Sequence, residues 1–160
     1  MNKLSFRKKS AKTNLETVGV EHEYILAETI INDRPFLDYI ACIETNHDYD
    51  YNIAKNLCVE LTGESDSYHH WSEEYGWTHG WQDDWPGKNN AVLLICSKCF
   101  HEKDNPILFT FEETDLEVIW SGYRNDQTNR IYSEIPEFRF EKEQYKAAME
   151  QLKEIAGIVI

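Results

Sequence analysis

The spacing of apolar residues changes several times along this chain, and each change predicts an element. Residues Glu21 to Ile31 mix β-branched, aromatic and acidic side chains, which predicts a strand ending at the turn pair Asn32-Asp33. Pro35 then opens a short helix through Phe36, Leu37, Ile40, Ala41 and Ile43, where the apolar spacing is close to helical. Residues 44 to 52, rich in Asn, Asp and Tyr, predict a loop, and Ile53 to Leu61 fits a short helix or a strand. Gly63, Gly76, Gly80, Pro86, Gly87 and Asn89-Asn90 punctuate a loop-like stretch from 62 to 90. The continuous apolar run Ala91 to Cys96 predicts a central strand; Ile107 to Glu112 and Leu116 to Trp120 follow, joined by an acidic turn around Glu113 to Asp115. Ile131-Tyr132 and Phe138 to Phe140 predict edge strands on either side of Pro136. The last pattern is a helix from about Glu141. Its stripe is Tyr145, Ala148, Met149, Leu152, Ile155 and Ala156, and Gly157 is its stop signal. Strands in succession closed by a helix predict an α+β fold, with a mainly antiparallel sheet and the terminal helix packed on one face.

The 160 residues are 41% hydrophobic, enough for one real core and too many for a wholly disordered chain. We expect a single α+β domain over residues 15–160, preceded by a flexible basic N-terminal arm over residues 1–14. That arm has no apolar stretch of the kind a secretory signal needs, and no apolar run approaches the roughly 20 residues of a bilayer span. Cytoplasmic location is the expectation, and with it four reduced thiols rather than a disulfide frame.

Charge sharpens the picture. The net charge is −13, yet Lys3, Arg7, Lys8, Lys9 and Lys12 all precede the first acid, Glu16. Between Pro35 and Gly87 there are eleven acids and one base, Lys55. A field of that sign repels phosphate backbones, so the expected partner is a basic protein and neither a nucleic acid nor a membrane. Within this region Tyr68 to Trp85 carries four of the five tryptophans, with no Lys or Arg from residue 56 to 87. Indole faces accept cation–π contacts and neighbouring carboxylates pair with Arg, so Glu73, Glu74, Trp77, Trp81, Asp83, Asp84 and Trp85 are the candidate partner-binding residues. The competing expectation is that these aromatics fold inward to cover one end of the core.

Cys96-Ser97-Lys98-Cys99 has the spacing that lets two sulfurs reach one zinc ion, with Cys42, Cys58, His69, His70, His79 and His101 as further donors. A second C-x-x-C is missing, so inert thiols are the expectation and no metal or cofactor is assigned. No phosphate-binding glycine loop, G-x-S-x-G elbow, H-E-x-x-H or calcium loop occurs, and no catalytic residue is assigned.

The stretch A-V-L-L-I-C-S-K-C at 91–99, W-S-G-Y-R at 120–124 and F-R-F-E-K-E-Q-Y at 138–145 resembles a family of small bacterial proteins without an assigned activity. I-I-N-D-R-P-F-L-D at 30–38 is similar to their opening strand, turn and helix. The chain departs from that family at Asp104-Asn105-Pro106-Ile107, where a C-W-P-L turn is usual. In character, as a small, acidic, aromatic-rich protein, it also resembles the immunity proteins that neutralise cationic nuclease toxins. The expectation that follows is a non-enzymatic acidic binding protein for a toxin nuclease domain. The alternative is a small cytosolic metal-binding or enzymatic protein using Cys96 and Cys99.

Overall fold

The computed structural model describes residues 1–15, 20–47, 58–60, 90–96 and 107–156. Its first strand, β1 (Leu4–Leu15), corrects the expectation of a flexible basic arm. Leu4 and Phe6 alternate with Ser5 and Arg7, and both apolar side chains are buried at 1% and 3% exposure. The surrounding bases disguise the short period-two alternation at this end of the strand, which turns Leu4 and Phe6 to the core. β2 (Val20–Ile31) pairs antiparallel with β1 along its whole length, with Leu4 opposite Ile31, Arg7 opposite Glu28 and Lys12 opposite Glu23. The Arg7 and Glu28 side chains meet across the ribbon, a contact that supports the pairing by roughly 0.2–1 kcal/mol.

Asn32 and Asp33 both adopt positive φ (54° and 64°), as a two-residue type I′ hairpin turn requires. The turn signal read from the sequence lies where the chain reverses. It returns the chain as β3 (Arg34–Pro35) against Ile30 and Ile31, completing a three-stranded sheet. α1 (Phe36–Asn46) starts at once behind Pro35 and buries Phe36, Ile40, Ile43 and Glu44, one face at helical spacing.

The larger sheet runs β4 (Cys58–Glu60), β5 (Asn90–Cys96), β6 (Ile107–Glu113), β7 (Glu117–Asn125) and β8 (Arg130–Ile131). β9 (Phe138–Glu141) pairs with the first half of β7, while β8 pairs with its end at Arg124 and Asn125. All these pairings are antiparallel. β7 extends past the expected end at Trp120 because it absorbs the Ser121-Gly122 break as a bulge. Between Leu108↔Arg124 and Thr110↔Ser121 it holds one extra residue, and Gly122 there has φ +67°.

α2 (Lys142–Ala156) closes the described fold. Tyr145, Ala148, Met149 and Leu152 are buried, and the half-buried Ile155 packs against their cluster, so the helical stripe faces the core as its spacing implies. Trp120 sits at the centre, with Phe109 at 4.6 Å, Phe140 at 5.2 Å and Tyr145 at 6.1 Å between ring centroids. α2 also covers the outer edge of β1. The Leu4 N–H donates to Gln144 Oε1 (3.1 Å) and the Phe6 N–H to Gln151 Oε1 (3.0 Å), while Gln144 Nε2 donates back to the Leu4 carbonyl. Side-chain amides here take the place of a neighbouring strand and blunt an edge that would otherwise invite pairing. Asn2 ties the two sheets together: its N–H donates to the Arg139 carbonyl (2.9 Å) and its Oδ1 accepts from the Arg139 N–H (2.8 Å). The result is an α+β fold with mostly antiparallel sheets and a C-terminal helix on one face.

Candidate partner-binding surface

All five described arginines and several lysines are engaged within the fold. Arg7 and Lys9 both reach Glu28, whose side chain is nearly buried. Arg139 lies between Glu117 and Glu137, Lys142 meets Glu113 (2.9 Å), Lys146 meets Glu143 (3.4 Å) and Arg124 meets Asp126 (3.5 Å). The Arg139 guanidinium is held above its ordinary range, first by Glu137 and then by Glu117. The Arg34 guanidinium lies 4.3 Å over the Tyr39 ring. By contrast, Asp33, Asp38, Glu112, Asp115, Glu141 and Glu154 are exposed and have no ion-pair partner among the described residues. Among the described residues, then, these carboxylates face solvent while the arginines are neutralised or capped locally.

One ion pair is internal. Glu44, on α1, has a side chain of 0% exposure and accepts from Arg130 Nη1 at 2.7 Å and from the Tyr132 hydroxyl at 3.2 Å. Burial first, and then the Glu44 carboxylate, push the Tyr132 hydroxyl well above its ordinary range, so it stays a donor throughout the accessible pH range. The group pins α1 against β8. His47, at the end of α1, makes a second link, with Nε2 2.8 Å from both carboxylate oxygens of Glu134.

Among the described residues, the turn between β6 and β7 is a hydrogen-bonded, partly apolar feature of the acidic surface. Thr114 Oγ1 accepts from the Glu117 N–H (3.0 Å) and the Leu116 N–H (3.3 Å), and Lys142 Nζ donates to the Thr114 carbonyl (3.1 Å). The Lys142 N–H donates to the Leu116 carbonyl (3.1 Å), fixing the turn to the start of α2. Leu116 projects from it at 80% exposure, with Glu112, Asp115 and Glu141 as the neighbouring acids in sequence and register. A backbone braced in this way has little freedom left to lose on contact with a partner.

The residues singled out from the sequence, Glu73, Glu74, Trp77, Trp81, Asp83, Asp84 and Trp85, lie outside the described residues, as does Gly157. Cys96 closes β5 and Cys99 falls outside; Cys42 is exposed on α1. Cys58, by contrast, opens β4 in register with Cys96, a pairing that no sequence spacing announces. Among the described residues no group of three or more His, Cys, Asp or Glu could hold a metal ion, and no helix is long and apolar enough to cross a membrane. A shallow hollow of about 500 Å³ lies along the outer face of α1 between Arg34 and Asn46. No protein-family model, no curated protein and no solved structure matches this chain.

Proposed function

We propose that this protein is a non-enzymatic acidic binding protein that neutralises a basic partner, a bacterial toxin nuclease domain, in the manner of an immunity protein. The observation that carries the reading is the disposition of charge. The chain holds 29 acids against 16 bases, and the described arginines are committed to acids or to an aromatic ring within the fold. A nuclease must be positive where it grips phosphates, and a surface of uncompensated carboxylates is drawn to that same field. Encounter is hastened by the charge; Trp77, Trp81 and Trp85 then serve as anchors, and Glu73, Glu74, Asp83 and Asp84 meet Arg or Lys.

The test is to capture the partner from the producing cell and measure its binding rates across a salt series. A basic partner is expected, with an on-rate that falls as screening shortens the field to about 10 Å at 0.1 M. Trp81→Ala should hasten dissociation and cost about 2 kcal/mol or more, as interface hot spots do. An acidic partner, or one indifferent to every substitution in residues 71–85, would remove the reading.

A further inference from the structure

Two of the four cysteines, remote in sequence, are brought together by the larger sheet. Cys58 is the first residue of β4, the outer strand at that end of the sheet, and Cys96 is the last of β5. The antiparallel register makes them direct partners, followed by Val59 opposite Ile95 and Glu60 opposite Leu94. Directly opposite residues in such a ladder share one face of the sheet, with Cα atoms about 4.5–5.5 Å apart. A disulfide spans Cα separations of roughly 4.4–6.8 Å, so the register alone satisfies the backbone requirement.

We propose that Cys58 and Cys96 form a redox-responsive pair, a dithiol that a peroxide closes into a cross-strand disulfide. In the first step one thiolate attacks a peroxide oxygen; the O–O bond breaks, a sulfenic acid forms and the departing hydroxide leaves as water with the thiol proton. The second thiolate then attacks the sulfenic sulfur, the S–S bond forms, and the S–O bond breaks to release a second water. Two sulfurs lose one electron each and hydrogen peroxide is reduced to two waters. The chain between the two cysteines contains Tyr68 to Trp85, so the bond would tether both ends of the acidic, tryptophan-rich segment. The chemistry does not depend on what that segment binds.

Cys96 has a competing neighbour in Cys99, and Cys42 is an exposed bystander on α1. The full chain carrying Cys42→Ser should be reduced, treated with hydrogen peroxide, alkylated, digested and mapped by mass spectrometry. The expected product is one Cys58–Cys96 linked peptide per chain, formed equally when Cys99→Ser is added and reversed by dithiothreitol. A register control is Cys58→Ser with Val59→Cys. Successive residues of a strand point to opposite faces, so the moved thiol should yield no bridge to Cys96. A predominant Cys96–Cys99 bond, persistence of the three free thiols, equal bridging by the moved thiol, or stoichiometric zinc on the purified reduced protein would each overturn the proposal.

Discussion

Replacing Arg130 by Met would leave the buried Glu44 carboxylate without the guanidinium that balances its charge. Glu44 is fully enclosed and the Arg130 side chain is only 10% exposed, so water cannot take over the role of the guanidinium without opening the contact between α1 and β8. Removing one partner of a buried pair costs about 3–5 kcal/mol, because the remaining charge keeps its desolvation penalty and loses its compensation. Against a typical total stability of about 5–15 kcal/mol, that loss is large. Urea unfolding of both proteins at pH 7 measures this difference directly. Adding Glu44→Leu removes the stranded charge and should recover at least half of the loss at pH 7, since apolar replacement of a whole buried pair is often neutral. A deficit below about 1 kcal/mol would refute the account of an internal charge pair, because ordinary surface changes stay within about 0.5 kcal/mol.

Leu152→Ala should lose about 2–5 kcal/mol in the same unfolding assay, because this side chain is fully buried between α2 and the sheets. Tyr123→Phe should be neutral or gain up to about 1 kcal/mol. The Tyr123 hydroxyl is buried with no hydrogen-bond partner among the described residues, and its burial, helped by Glu137, keeps it protonated far above its ordinary value. A loss above 1 kcal/mol would mean that the hydroxyl has a partner. Gln151→Ala should cost about 1 kcal/mol and expose the Phe6 N–H to faster hydrogen exchange, since the Gln151 side chain accepts that edge donor. Neutralising Asp83 and Asp84 together should slow association with the captured partner at low salt and matter less at high salt, as stopped-flow mixing would read.

Much of the framework was legible from local pattern. The Asn32-Asp33 turn, the helix behind Pro35, the apolar strand ending at Cys96 and the stripe on α2 all express periods that backbone geometry imposes on a few neighbouring residues. The acidic excess is likewise a property of composition. Other features depended on which distant segments meet. Charge dominated the reading of residues 1–14, and the Leu4/Phe6 alternation gained meaning only once α2 supplied Gln144 and Gln151 along the β1 edge. Ser121-Gly122 signals a strand end locally, whereas a bulge opposite β6 carries β7 on to Asn125. Glu44 and Arg130 are 86 positions apart, and neither carries any local sign of its partner. The same holds for Cys58 and Cys96, whose pairing is a matter of strand register. Periodicity is written by the covalent chain and can be read along it. Register, ion pairing and edge protection are settled by burial between remote segments, where desolvation makes one pairing favourable over the many that composition allows.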